Sequence, residues 1–420
     1  MSTSASSPTW FGTDRRVLAL AVARMADAMG NSFLIIVLPL YVASETVSGR
    51  LFGLPSSVVA GAVLALFGIA SSLTQPVAGR LSDRLGTRKG FVLGGLLVFS
   101  VANLAFVWAT QYWALFALRV VQGTAAAFTI TASLALVNEG SRPETRGRHM
   151  GVYNSFRLVG FGAGPLLASA VLEMGPFRVP GGGEVTGFEV TFGVAAAAAL
   201  LSAGLVFLLV EDPDETAPAP RRLAVRVWGE DGGLDPIFAL GLATLVMAAC
   251  IALLSAIEPE VNARLEQGPV LFAVEFVALI ASLAILQPFV GRASDTWGRT
   301  PFILVGLVGL VPTTLGQGLV AAPWQMILMR VLQGGAGAMV FAPALALAGD
   351  YTAKGQSGAQ LSVLTVSFGL GIATGQLTAG FFVQYGFVVP FAVGAGLAVG
   401  AVVLVYSQVY TPARRAAADA

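Results

Sequence analysis

Apolar runs of about twenty residues, each closed by a short polar stretch, follow one another along the whole chain at 16–42, 56–78, 90–109, 112–137, 149–173, 190–210, 236–257, 269–290, 301–321, 324–348, 357–383 and 387–409. A run longer than about 18 residues with few charges is long enough to cross the hydrocarbon core as a helix. The pattern therefore predicts an all-α membrane protein of twelve transmembrane helices. Connections are short apart from "EDPDETAPAPRRLAVRVWGEDGGLD" at 211–235, acidic and Pro-rich at first and then basic, which reads as a linker. The expected organisation is a tail at 1–15, a six-helix bundle at 16–210, the linker at 211–235, a second bundle at 236–409 and a tail at 410–420.

The two bundles repeat each other. "QPVAGRLSDRLG" at 75–86 returns as "QPFVGRASDTWG" at 287–298, and "RVVQGTAAA" at 119–127 as "RVLQGGAGA" at 330–338. At the same spacing Gly160 and Gly164 match Gly371 and Gly375, and Glu139 matches Asp350. Two halves in parallel orientation meet, in transporters built this way, around a site near the bilayer midplane.

Composition agrees with the pattern: 56% of residues are hydrophobic and only 11% charged, far from the soluble average of roughly a quarter charged. Of 24 Lys and Arg, 17 fall in the N-terminus, the even-numbered connections and the C-terminus, which by the positive-inside rule places both termini in the cytoplasm. A multi-pass protein of the plasma or inner membrane is expected. The first span, with Asp27 inside it, is too long and too polar for a cleaved signal. One cysteine, Cys250, and one histidine, His149, leave no thiol cluster and no obvious metal site.

The stretch "GRLSDRLGTRKG" at 79–90 resembles the signature loop between spans two and three of the major facilitator superfamily, with Gly79, Asp83, Arg84, Gly86, Arg88 and Lys89 at the matching positions. The second-half copy keeps Gly291, Asp295, Gly298 and Arg299. Span four matches the family's Arg-x-x-Gln-Gly at Arg119, Gln122 and Gly123. Span five, "GFGAGPLLAS" at 160–169, is similar to the Gly-Pro motif of the twelve-span drug:proton antiporters, with Ala168 and Ser169 where that motif has paired glycines. The resemblance implies two pseudo-symmetric six-helix bundles, alternating access, proton coupling and a role for Arg119 in proton transfer.

Charge inside a span is costly and marks function by default. Arg24, Asp27, Arg119, Arg157, Glu275 and Arg330 are placed so. Arg24, Asp27 and Asn31 follow at i, i+3 and i+7 on one face of span one and are expected to line the cavity. Asp27 is the candidate for proton coupling or for gripping a cation; a static Arg24–Asp27 pair competes with it. Arg119, with Gln122, is a second proton-coupling candidate or the counter-ion of Asp27. Tyr153, Asn154 and Arg157 share a face of span five, and Gln360, Phe128 and Phe341 complete the expected substrate cavity. Glu275 and Arg330, at equal depth on spans eight and ten, are expected to form a salt bridge.

On the cytoplasmic side Gly79, Asp83, Arg84, Arg88, Glu139, Asp295, Arg299 and Asp350 are expected to form a gate, with Asp83 against the start of span eleven and Arg88 or Arg84 on Glu139. Gly160, Gly164, Pro165, Gly371 and Gly375 are expected to pack helices closely, span five on eight and span eleven on two. No phosphate-binding Gly-x-x-x-x-Gly-Lys-Ser/Thr is present, so direct ATP use is not expected, nor is enzyme chemistry or any cofactor. The expected function is proton-coupled efflux of small amphipathic or apolar organic compounds. Uptake or exchange of an organic anion, and a receptor or sensor without flux, are the alternatives. Expected partners are a small-molecule substrate, protons and membrane lipid, with no nucleic acid and a monomeric state.

Overall fold

The computed structural model describes residues 9–10, 13–44, 46–47, 53–141, 145–178, 183–212, 226–229, 233–351 and 357–411. Thirteen α-helices occupy most of them: α1 (Arg15–Ala43), α2 (Ser56–Leu85), α3 (Arg88–Ala105), α4 (Tyr112–Glu139), α5 (Arg146–Met174), α6 (Gly187–Leu209), α7 (Pro236–Ala252), α8 (Glu258–Leu265), α9 (Pro269–Trp297), α10 (Arg299–Leu319), α11 (Pro323–Asp350), α12 (Ser357–Phe382) and α13 (Val389–Val405). All but α8 belong to the twelve apolar segments long enough to cross a membrane. Most of the linker lies outside the described residues.

Local chemistry sets the helix ends. Gly86 closes α2 at φ 66°, a left-handed turn that a residue with a Cβ adopts only under strain, and this lets α3 begin two residues later. Thr186 and Glu189 cap α6 reciprocally, and Asp235 caps α7 ahead of Pro236.

In the first bundle α1 packs on α5 and α6, α2 on α4, and α3 on α4 and α6. In the second, α7 packs on α12 and α13, α9 on α11, and α10 on α11 and α13. The halves meet through α2 with α12 and α5 with α9. Gly160 and Gly164 do not face α9 as expected: they lie against the Met25 and Met29 carbonyls of α1. Gly371 and Gly375 likewise meet the Leu245 and Ala249 carbonyls of α7 rather than α2. Glycine pairs four residues apart expose one strip of backbone, and that strip is used inside each bundle; Gly162 and Gly369, on other faces, are the ones that approach α9 and α2.

The two ends of the molecule differ. On the far side, where α1 ends and α2 begins, one apolar cluster joins Leu34, Val37 and Leu38 of the first half to Leu254, Ile257 and Phe272 of the second. On the near side, where α1 begins, the cores are separate: one is built from residues 17–210 and the other from 237–409. Side chains at Gly61 or Gly68 of α2 would collide with α12, whereas the space around Gly79 is open.

Candidate functional site

Arg24 and Asp27, the charged residues inside the apolar part of α1, are nearly buried in the first half. Arg24 donates to the Asp27 carboxylate one helical turn away. Asp27 borders a crevice with room for about one water, walled by Leu96 of α3, Thr129 and Ser133 of α4 and Val206 of α6. The Ser133 hydroxyl lies 2.6 Å from the Tyr153 hydroxyl, which brings α5 into the same polar group. Arg157 donates from Nε to Asn154 Oδ1 at 3.0 Å, and no carboxylate pairs with it among the described residues. Asn31, one turn beyond Asp27, is partly exposed.

Two expected cavity residues are interior instead. Gln122 is fully buried, accepting from Arg119 at 3.0 Å and donating to Asn103 Oδ1 at 2.7 Å. Tyr153 is buried against Ser133. Phe128 stacks on Phe91 at 5.5 Å, within the first half, and Phe341 meets Phe368 at 5.3 Å in the second. Gln360 lies in α12 outside the residues whose side chains are described. Pro165 is buried within α5.

Arg119 is not the counter-ion of Asp27. Its guanidinium donates to the Val63 and Leu64 carbonyls of α2 at 3.2 and 3.5 Å and lies 4.6 Å over the Phe67 ring. Tight packing at Gly123, against the Phe67 carbonyl, draws α4 onto α2 and points Arg119 away from α1. The second half repeats the arginine–glutamine link but not the carbonyl contact: Arg330 donates to Gln333 Oε1 at 2.8 Å and Gln333 reaches Thr314 at 3.2 Å, while Arg330 also donates to the Ile251 carbonyl of α7, the counterpart of α1, at 3.0 Å.

The expected Glu275–Arg330 salt bridge is absent among the described residues. Glu275 accepts from Gln267 at 2.9 Å, and Arg330 spends its Nη1 donor on Ile251 and Gln333. Equal depth on neighbouring helices did not bring the two groups into contact, because each had a nearer partner.

On the near side, two charge clusters sit at matching places. Arg88 pairs with Asp83 and donates twice to Glu139, at 2.8 and 3.3 Å, and also to Ser82 at 3.0 Å. Arg299 pairs with Asp350 and, at 3.1 Å, with Asp295. Arg84 is exposed and joins neither cluster, and Asp83 turns to Arg88; the start of α12, its expected partner, lies outside the described side chains. Both clusters lie within one half, so each ties a loop to the end of its own fourth helix.

The sequence reading passed over Glu258. It follows the seventh apolar run directly, yet it is fully buried on the far side and neither carboxylate oxygen has a hydrogen-bond partner. The signal was available: Ile257, Val261 and Leu265 recur every four residues and mark a buried helical face beside it.

The Major Facilitator Superfamily model matches residues 20–258 and 237–419. A relative described as "Multi-drug resistance efflux pump PmrA homolog", from Lactococcus lactis, is 26% identical over 326 residues, 74% of this chain and 75% of its own length. Two solved structures are similar in fold. The human organic anion transporter MFSD10 (TETRAN) superposes with a TM-score of 0.67 at 20% identity, over 93% of this chain and 99% of its own. A bacterial homolog of the human lysosomal transporter Spinster, inward-facing and unoccupied, superposes with a TM-score of 0.72 at 16% identity, over 93% and 94%.

Proposed function

This chain belongs to the Major Facilitator Superfamily and is a multi-pass membrane transporter, and on that premise we propose that it exports small amphipathic or apolar organic compounds in exchange for protons by alternating access. The near side is the cytoplasm in this reading, in accord with the distribution of Lys and Arg. The shared apolar core on the far side and the separate cores on the near side correspond to a state closed to the outside.

The observation that carries the proposal is the Arg24–Asp27 pair beside a water-sized crevice. A carboxylate held there by one guanidinium has two stable forms, ionised and paired or protonated and neutral, and access from alternate sides lets it load and release a proton. Ser133 and Tyr153 supply hydroxyls next to it. The cargo meets a polar wall on α1 and α5 and an aromatic one at Phe341 and Phe368, which suits a molecule with one polar end. The efflux relative supports the direction of transport.

Arg157 favours a second reading, exchange of an organic anion, because its guanidinium faces no acid among the described residues. Purified protein in liposomes with an imposed pH gradient distinguishes the two. Gradient-driven movement of cationic and neutral amphipathic compounds is the expected result; movement of anions alone would replace the first reading with the second, and no movement of any class would defeat both.

A further inference from the structure

We infer that Glu258 is a proton-binding site at the outer end of the second half, and that its protonation holds the outer seam shut. The inference rests on the alternating-access reading above but not on the identity of the cargo or on Asp27.

The helix α8 lies between α7 and α9, outside the apolar spans. Its residues Val261 and Leu265, with Ile257 just before it, belong to the apolar cluster that joins the two halves. Glu258 sits among them, fully buried, with both carboxylate oxygens unpartnered. An ionised carboxylate enclosed in this way, without a counter-charge, costs several kcal/mol, and it takes up a proton instead.

Among the described residues no cation pairs with Glu258 to replace that proton. From α9 comes Glu275, fully buried, with Oε1 held by Gln267 and Oε2 unpartnered. On α8 itself Glu260 is partly buried with one free oxygen, and Asn262 accepts from Gln267 at 3.3 Å. Arg264 points to the Phe387 ring at 4.8 Å. Arg330 of α11 is engaged with Ile251 and Gln333, makes no ion pair among the described residues, and acts on Glu275 only at a distance. The α1 segment beyond Asp27 and the turn at Leu253–Ala256, the other elements packed on α8, carry no charged residue. Burial pushes the Glu258 carboxyl well above the usual carboxylate range; the Asn262 side chain nearby offsets part of this without closing a hydrogen bond of good geometry, and the negative field of Glu275 adds to it.

Opening the seam separates α8 from α1 and lets water reach Glu258, whose acidity then returns to the ordinary value near 4.3. The sealed state therefore binds one proton more than the open state. Sealing is fully favoured below the ordinary value and fades as external pH rises through the raised one. In an exporter this is the step at which an external proton closes the outer side after the cargo has left.

The test uses the full chain in lipid nanodiscs, with Cys250→Ala and spin labels on Leu54→Cys and Trp324→Cys, two exposed far-side positions outside the seal. As pH rises, the ratio of open to sealed protein should grow by up to about tenfold per unit within the window. The same growth is expected in Asp27→Asn, so failure of the proposed coupling residue leaves this result intact. Glu258→Gln, which mimics the protonated side chain, should stay sealed at every pH. An unchanged pH response in Glu258→Gln, or none in the otherwise native protein, would overturn the inference. A Glu258→Gln chain that cannot fold would also count against it, since glutamine reproduces the neutral form assigned to the sealed state.

Discussion

Gly160 and Gly164 of α5 lie against the carbonyls of Met25 and Met29 of α1, and Gly371 and Gly375 of α12 lie against those of Leu245 and Ala249 of α7. The same helix joint is built twice, and it sets a residue-by-residue correspondence between the halves. Along it Arg24 matches Thr244, Asp27 matches Met247, Tyr153 matches Leu364 and Arg157 matches Phe368. The packing is repeated, and the charge is not. Close helix approach in lipid depends on small residues wherever two backbones must touch, so both halves need the glycines. Buried charge is costly at each place it occurs, so it is kept only where it acts. Along this joint the charged side chains belong to the first half, and the second half presents an apolar face.

The strongest break of this comparison is a side chain in the joint. Gly160→Leu and Gly371→Leu each drive a branched side chain into a backbone carbonyl that cannot retreat, at a cost beyond the roughly 1–3 kcal/mol of ordinary overpacking. Neither should yield monodisperse protein by size-exclusion chromatography, and a well-folded variant in only one half would show that the joints are not equivalent. Next, Met247→Asp places at the matching position an acid that has no Arg24. A loss of about 2.5–3.5 kcal/mol is expected from the insertion cost alone, read as a lowered Tm.

The near-side clusters sharpen the comparison at smaller scale. Arg88 is 3% exposed and Arg299 is 23% exposed, with Asp295 and Asp350 more open still. Removing Arg88 leaves Asp83 and Glu139 crowded without a counter-charge, so Arg88→Ala should cost about 3 kcal/mol. Arg299→Ala should cost no more than about 1 kcal/mol. Chemical or thermal unfolding of the two variants side by side measures the gap, and equal losses would remove the distinction. Arg157→Gln should not destabilise the fold, since it removes an intramembrane charge with no carboxylate partner among the described residues. Its effect should instead be a weaker KM for cargo with an acidic end, by roughly tenfold for one lost charge-assisted hydrogen bond.

Much of this architecture was legible in the sequence because hydropathy over twenty residues and a repeated motif are one-dimensional signals. The Arg24–Asp27 contact was legible for the same reason, since three residues on a helix fix a neighbour. Contacts between helices were not. Depth along a span can be counted, but rotation about the helix axis cannot, and that is why Glu275 and Arg330 were expected to meet and Arg119 was offered to Asp27. The partners of Gly160 and Gly371 were missed on the same ground. Glu258 escaped because an acid just past an apolar run reads as an exposed loop residue until α8 folds back on the seam.

The central claim is that proton coupling belongs to Asp27 in the first half. Its most direct test is the pH dependence of cargo exchange in liposomes containing either the native protein or Asp27→Asn. The native protein should drive cargo against its gradient when a pH difference is imposed, while Asp27→Asn should only equilibrate cargo and never concentrate it. An Asp27→Asn protein that still concentrates cargo with an unaltered pH profile would contradict the account.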